Sequence, residues 1–544
     1  MRWWGWGEDG HDVALPDQAL AMLRAELGLD PSAHTRVGHA AVALEDVRLP
    51  ESRLDRSVRE RLARVVGEDH VRDDRATRVE HAAGRSYPDL VRLRTGDLAG
   101  APDAVVQPGS ADEVSALLGA CAEARVAVVP FGGGTSVVGG VDPVADGFPA
   151  VIALDLARLD RLVSVDRTSL TATLEAGLFG PEAERQLAAE GVTLGHFPQS
   201  FEFSTVGGWV ATRSAGQASS GYGRIDELVE GLRLIAPGGE VARRAVPATA
   251  AGPDVRELLV GSEGVLGVIC EATLRVRALP AVRRYEGWSF RSFAEGCEAL
   301  RVMEQADGSP DVARLSDEQE TRLSFALAST GSATERAGRA YLRMRGHEGG
   351  CLAVMGFEGE AEDVERRRLH SGALLRAGGG VALGRRPGEA WLRGRYAGPY
   401  LRDALLDHGV FVETLETATS WSNLPRLYAA VSDTLRKSLS ERGTPPLVMC
   451  HVSHLYRSGA SLYFTFLARQ ETEAALEQWR TVKTAACDAI VAAGGTITHH
   501  HAIGRDHAPW LAAEIGQVGV ELIRAAKERL DPVGIMNPGK LLPA

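Results

Sequence analysis

The chain has 544 residues, 44% hydrophobic and 24% charged, with a formal net charge of −12; that length calls for more than one domain, and the acidic balance argues against a nucleic-acid backbone as partner. No apolar run nears the roughly 20 residues that a bilayer span needs, and the N-terminus lacks a signal-peptide pattern. The six cysteines are widely spaced and form no CxxC pair, so the chain reads as a cytoplasmic protein with reduced thiols, no disulfide framework and no zinc site.

Residues 1–85 form a lead-in. Trp3, Trp4 and Trp6 crowd its start, followed by helical spacing at Leu20, Leu23 and Leu27 and again at Leu54, Val58, Leu62 and Val65. The tryptophans are expected to pack against the main body, with peripheral contact to a membrane surface as the alternative.

From about Ser86 to residue 281 the pattern is α/β. Ser110 with Glu113 reads as a capping box, and Val114, Leu117, Leu118 and Cys121 give helical spacing up to Arg125. The strand Val126–Val129 then leads into Pro130–Gly140, PFGGGTSVVGG. Five glycines in eleven residues let the backbone turn sharply and offer its N–H groups to an anion such as a pyrophosphate. A Rossmann fingerprint fails, because Val137 replaces the third glycine of GxGxxG and Pro143, Gly147 and Pro149 forbid the helix that should follow. No Lys follows the glycines as a P-loop requires. Further on, Leu162–Glu175 reads as β-rich and Pro181–Glu190 as a helix. Two more permissive stretches follow, Gln199–Gly223 and Gly261–Ile269, the second ahead of a strand-like Glu271–Arg277. Three glycine-rich segments beside apolar strands read as one extended ligand trough.

Residues 282–498 read as a second domain, with helices such as Phe293–Ala306 alternating with strands such as Cys351–Phe357 and Ser461–Phe466. Arginines are frequent; Arg402 stands out for its apolar neighbours in PYLRDALL, with an ion pair to Asp403 or another carboxylate as the bland explanation. The last section, 499–544, follows a strand-like GTITHHH that would put His499 and His501 on one face and His500 on the other. Three successive histidines before the tight-turning Ala502, Ile503 and Gly504 read as a site rather than core. A metal ranks lower, since no third or fourth ligand stands at recognisable spacing. Leu511–Leu530 reads as a helix.

PFGGGTS, QSFEFSTVGGWVATRSAG and GSEGVLGV together resemble the vanillyl-alcohol-oxidase-type flavoproteins. From the opening WGWG to the final NPGKLL the chain resembles more closely the alkyldihydroxyacetonephosphate synthase family, with EFSTVGGWV and the triple histidine as the specific parts. The resemblance implies an α+β fold: a PCMH-type FAD-binding domain of two α+β subdomains, plus a cap domain with an antiparallel sheet flanked by helices. It implies non-covalent FAD held by Pro130, Phe131, Gly132, Gly133, Gly134, Thr135 and Ser136, by Gln199, Ser200, Phe201, Glu202, Phe203, Ser204 and Thr205, by Thr212, Arg213, Ser214 and Ala215, and by Glu263, Gly264, Val265, Leu266, Gly267, Val268 and Ile269.

It also implies catalysis by Tyr463, His499, His500, His501 and Arg314, with Arg402 binding the substrate phosphate. In the family reaction the acyl group of acyl-dihydroxyacetone phosphate is replaced by a fatty alcohol, without net redox change, in ether-lipid synthesis. A homodimer is expected. A phenol with an ordinary pKa of about 10 serves as base only where cations favour the phenolate; the histidine run is the expected source, and a neutral histidine, with an ordinary pKa of about 6.5, could itself relay the proton. Two histidines, His451 and His454, depart from the family pattern. The alternative is an FAD-dependent dehydrogenase or oxidase of a 2-hydroxyacid; such proteins carry a Glu-His-Gly run where this chain has His500, His501 and Ala502, and His454 could stand in for one of their metal ligands.

Overall fold

The computed structural model describes residues 1–10, 13–29, 41–328 and 332–543. The fold is α+β and contains three principal sheets. In the first, four strands lie in the order Val71–Arg72, Ala104–Val106, Val151–Asp155, Ala127–Phe131, with the last three parallel. The helix Ala111–Ala124 makes the crossover, burying Val114, Leu117, Leu118 and Cys121 against Val128 and Ile152. Only half of the expected capping box forms. Ser110 Oγ accepts the Glu113 N–H at 3.1 Å, but the Glu113 carboxylate reaches the Gly109 N–H, at 2.7 Å, rather than that of Ser110.

The second sheet is antiparallel and runs Leu162–Asp166, Thr171–Glu175, Val268–Arg275, Val229–Ala236, Gly239–Arg243. The third is a seven-stranded antiparallel sheet, in the order Val381–Gly384, Val282–Phe290, Cys351–Gly359, Val312–Ser316, Leu447–Tyr456, Gly459–Arg469, Val410–Ser420. Side chains along a strand alternate between faces. Leu462, Phe464 and Phe466 therefore enter a core shared with the helices Phe293–Gln305, Leu424–Glu441 and Ala475–Ala492, where each buried phenylalanine contributes about 2–3 kcal/mol. Tyr463, between them, turns to the opposite face.

The opening tryptophans pack against the main body. Trp6 is buried edge-on to Phe203, with ring centroids 5.4 Å apart, and its backbone N–H donates to Asp403 Oδ2 at 2.5 Å. Asp403 also faces Arg94 at 3.5 Å, so it is not the partner of Arg402. Leu511–Leu530 is helical over the expected residues but broken at Gly516, where φ is 76° and ψ 158°, and the chain then returns to the first sheet, where Asn537 Nδ2 donates to the carbonyls of Gly140, at 3.1 Å, and Glu263, at 2.6 Å. This residue ties the glycine loop to the Gly261–Ile269 stretch. One expected strand is absent: Gly495–His501 is irregular backbone, because its last three N–H groups are taken by one carboxylate instead of a neighbouring strand. Among the described residues no helix is long and apolar enough to cross a membrane, and all six cysteines are free thiols.

Candidate active site

The three glycine-rich segments meet. A Cβ on Gly133 would stand 1.6 Å from the Phe203 carbonyl oxygen, one on Gly132 2.4 Å from Thr205 Oγ1, and one on Gly264 2.9 Å from the Pro130 ring. Gly134 takes the left-handed conformation, φ 65°. The backbone N–H groups of Gly133, Gly134, Thr135 and Ser136 find no acceptor among the described residues. Such a run of free main-chain donors is chemically suited to an anionic diphosphate.

Some residues expected at the cofactor can reach it only through backbone. Val265, Leu266, Val268 and Ile269 are buried core side chains. Arg213 turns its guanidinium to the Val260 carbonyl, at 3.0 Å, and to Glu257, at 2.8 Å. Glu263 is buried and accepts the backbone N–H groups of Ile503 and Gly504 at 2.8 and 2.7 Å. Burial outweighs those bonds and pushes its carboxyl up to about 7.

The cap sheet supplies the other wall. His451 and Glu416 stand directly opposite Tyr463 on the two neighbouring strands, forming one row across the face away from the helices. The His451 ring stacks on Tyr463 with centroids 4.9 Å apart. Glu320 bridges His451 Nδ1, at 3.0 Å, and Arg314, at 2.5 Å. Burial works against the Glu320 anion, but His451 and Arg314 hold its carboxyl down to about 2. Arg314 also reaches His451 Nδ1 directly, at 3.0 Å, and so acts on the tyrosine through the histidine rather than by its own contact.

Glu416 organises the histidine run. It accepts the N–H groups of His500 at 3.1 Å and His501 at 2.8 Å, as well as the N–H of His499 and the Thr498 hydroxyl. Burial disfavours its charge, yet His500, His501, His499 and the Thr498 hydrogen bond hold it well below the usual carboxylate range. The three imidazoles consequently gather on one side rather than alternating: His501 meets Tyr463 edge-on at 5.5 Å, and His500 lies parallel to it at 6.0 Å. His499 Nδ1 faces His500 Nδ1 at 2.9 Å, and its Nε2 faces the Tyr456 hydroxyl at 2.6 Å. His454 joins them, so the ligand nitrogens of His454, His499 and His500 all lie within 4.8 Å of one another. Chain spacing gave no ligand pattern for this third imidazole, which the sequence offered only as a stand-in for a metal ligand of 2-hydroxyacid enzymes. Its nitrogens are engaged, Nε2 with the Gly216 carbonyl at 3.1 Å and Nδ1 with Ser461 Oγ at 3.2 Å.

Burial pushes His500 and His454 down to about 3, and holds His499 and His501 below the ordinary imidazole value. The histidines are neutral near pH 7. The expectation that histidine cations favour a Tyr463 phenolate therefore fails; burial pushes the phenol up to about 12, against the opposing pull of Thr414 and Arg402. Arg402, on the helix Gly398–Leu406, gives one N–H to the Arg85 carbonyl at 2.7 Å and keeps its buried Nε without a partner. Glu416, Glu320 and Tyr456 were missed in the sequence. Glu416 had a signal, a carboxylate among the apolar and β-branched residues of VFVETLETATS; Glu320 stands six residues from Arg314 but is distant in the chain from His451, as Tyr456 is from His499, and neither had one.

Residues 102–244 match the family described as FAD binding domain, and residues 279–541 match that of FAD linked oxidases, C-terminal domain. The chain is 36% identical over 482 residues to alkyldihydroxyacetonephosphate synthase of Dictyostelium discoideum, covering 87% of this chain and 79% of that one. It is 36% identical over 505 residues to the synthase of Trypanosoma brucei brucei, covering 91% and 82%. A solved alkyldihydroxyacetonephosphate synthase superposes with a TM-score of 0.85 at 32% identity, covering 99% of this chain and 98% of that one. With free backbone donors lining a glycine trough on one side and a tyrosine set among imidazoles on the other, the chain belongs to the alkyldihydroxyacetonephosphate synthase family of FAD-dependent enzymes.

Proposed function

We propose that this enzyme exchanges the acyl group of acyl-dihydroxyacetone phosphate for a fatty alcohol, without net redox change. The observation that carries the reading is the position of Tyr463, which lies between His451 and Glu416 in the sheet, against the His500 and His501 rings, and within the field of Arg402. The backbone of Gly132–Ser136 would hold the FAD diphosphate, with Gln199–Thr205, Thr212–Ala215 and Glu263–Ile269 completing the trough. FAD, when bound, would supply an electron-accepting ring.

Tyr463 takes the proton from the carbon that bears the ester. A phenol pushed up to about 12 is protonated at neutral pH, so it must pass its own proton on as it accepts another. A neutral imidazole is the acceptor that this requires, and His501 and His500 border the ring. His499 and the Tyr456 hydroxyl extend the chain of exchangeable protons. Arg402 presents a planar, permanently charged fork to the phosphate. Arg314 positions His451 both directly and through Glu320.

The test is incubation of the yellow protein with acyl-dihydroxyacetone phosphate and a labelled fatty alcohol. Label should enter the ether product while the flavin spectrum is unchanged over many turnovers. Anaerobic bleaching by a 2-hydroxyacid with no label transfer would replace this reading with that of an oxidoreductase.

A further inference from the structure

We infer that Glu263 is a positioning residue that couples the flavin trough to the histidine run, so that occupancy of the trough fixes where the imidazoles stand. The inference rests on FAD filling the trough; only its effect on turnover rests on the reaction proposed above.

The histidine loop is held at its two ends by two different domains. Glu416, on the cap sheet, takes the N–H groups of His499, His500 and His501, whereas those of Ile503, at 2.8 Å, and Gly504, at 2.7 Å, go one to each oxygen of Glu263. Beyond them Arg505 and Asp506 give their N–H groups to the Val138 carbonyl, at 2.9 and 3.3 Å. Val138 belongs to the glycine loop, two residues after Ser136, whose hydroxyl turns that loop back by accepting the Gly140 N–H at 2.9 Å. A Cβ on Gly504 would collide with the Val138 carbonyl, so the two loops meet backbone to backbone. The far end of the histidine loop therefore rests on the trough itself.

Glu263 is the junction. Its N–H donates to the carbonyl of Ala211, which leads into Thr212–Ala215, and its own carbonyl accepts Asn537 Nδ2, the group that also grips Gly140. One residue thus joins three segments of the trough to the loop that carries the imidazoles. Glu263 and Ala502 both take the left-handed conformation, φ 52° and 75°, which residues with a side chain avoid unless their surroundings dictate it. The carboxylate is engaged by the histidine loop at both oxygens, so its influence on the cofactor runs through that loop and the trough backbone.

Occupancy matters because of the glycines. The N–H groups of Gly133–Ser136 have no acceptor among the described residues, and the glycines of this loop have more conformational freedom to lose than any other residue type. A diphosphate bound there orders the loop, and with it the carbonyls of Val138 and Gly140 to which the histidine loop and Asn537 are attached. Coupling between sites is reciprocal, so whatever frees the histidine loop from Glu263 must weaken cofactor binding in turn.

Amide hydrogen exchange at residues 502–506 should be compared in the holoenzyme and after FAD has been stripped, with the cap helix Leu424–Glu441 as reference. Exchange at 502–506 should quicken at least about tenfold without FAD, while the helix is unchanged. E263Q should bind FAD at least about tenfold more weakly and show the fast exchange even when saturated. E416Q, which releases the cap end of the same loop, should keep the FAD affinity of the parent. In turnover, saturated E263Q should lose kcat with little change in KM. Should E263Q not fold, the parent comparison decides alone; should the stripped protein unfold as a whole, saturated E263Q decides. Equal exchange at 502–506 with and without FAD, or an E263Q that binds FAD as tightly as the parent, overturns the inference. Equal weakening of FAD by E263Q and E416Q overturns it too, because a general loss of stability then explains both. A protein that meets these expectations yet transfers no alkyl group loses the substrate reading alone, and the coupling stands.

Discussion

Glu416 and Tyr463 stand directly opposite each other in the ladder between Val410–Ser420 and Gly459–Arg469. The carboxylate captures the backbone of the residues whose rings border the phenol. The proton-transfer residue and the loop of acceptors are therefore positioned by one pair in one sheet. Three successive N–H groups converging on a buried anion also explain why GTITHHH does not extend as a strand: its donors are already used.

Glu416→Gln should test that anchor. The amide keeps the shape but replaces one acceptor oxygen with a donor facing N–H groups, leaving buried donors unpaired at a cost of about 1–3 kcal/mol each. Turnover should fall at least about a hundredfold, with FAD still bound. The Glu416 carboxyl is depressed in the fold, so its stabilisation is present above its unfolded value of about 4.3 and is lost as pH falls through the folded value. Acid unfolding of E416Q should accordingly lack that component, which denaturation at pH 7 and pH 3 would measure. Equal acid sensitivity in both proteins would deny Glu416 its role as a buried anion.

Tyr463→Phe should lower kcat by about two to four orders of magnitude without releasing FAD, the scale expected on losing a general base. Near-normal turnover would remove the phenol from the mechanism. The neutral imidazoles make a second expectation. Since His500 titrates near 3 and its neighbours below the ordinary value, kcat of the parent enzyme should show no acid limb near pH 6.5. A limb there would mean that histidine charging controls the chemistry.

Local patterns made much of this legible. Phe293–Ala306, Leu511–Leu530 and the β-rich Leu162–Glu175 follow apolar periodicity, and the structure reproduces their bounds within a residue or two, with the last helix broken at Gly516. The glycine trough was legible because Gly132, Gly133 and Gly264 answer to close contacts that no other residue tolerates. In the cap-domain half, Tyr463, Arg402 and Arg314 were named through the family resemblance, but what they pair with was not legible. Glu416 sits 83 residues before His499, and Arg402 lies 317 residues after the carbonyl it grips, so their pairing is decided by sheet register and domain packing, which leave no periodicity. The neutral state of the histidines was equally hidden, because burial, not residue type, sets it.

Gly133→Ala asks whether the trough depends on close approach of two backbones. The new methyl would lie 1.6 Å from the Phe203 carbonyl oxygen and 2.7 Å from its carbon, so one segment must move. Purified G133A should be colourless or retain a small fraction of its FAD, with a lowered melting temperature. Gly119→Ala is the control: it lies inside the helix Ala111–Ala124 with nothing within 4 Å, and should stabilise by about 0.5–1 kcal/mol while remaining yellow. A yellow, fully stable G133A would show that the loop does not need its glycine there.

Glu320→Gln separates positioning from chemistry. Glu320 touches Arg314 and His451 but not Tyr463, and its carboxyl is held down to about 2 by those two partners against burial. A folded value below the unfolded one of about 4.3 means that its stabilisation, about 3 kcal/mol, is fully present at neutral pH and fades as pH falls from about 4.3 through 2. E320Q should therefore be less stable than the parent at pH 7, and the gap should close on acidification. Activity should fall less than in Y463F, with FAD binding intact, because the His451 ring loses one of its two partners but keeps Arg314, and the phenol and its proton acceptors stay in place. An activity loss as deep as that of Y463F, at unchanged stability, would instead put Glu320 in the proton path itself.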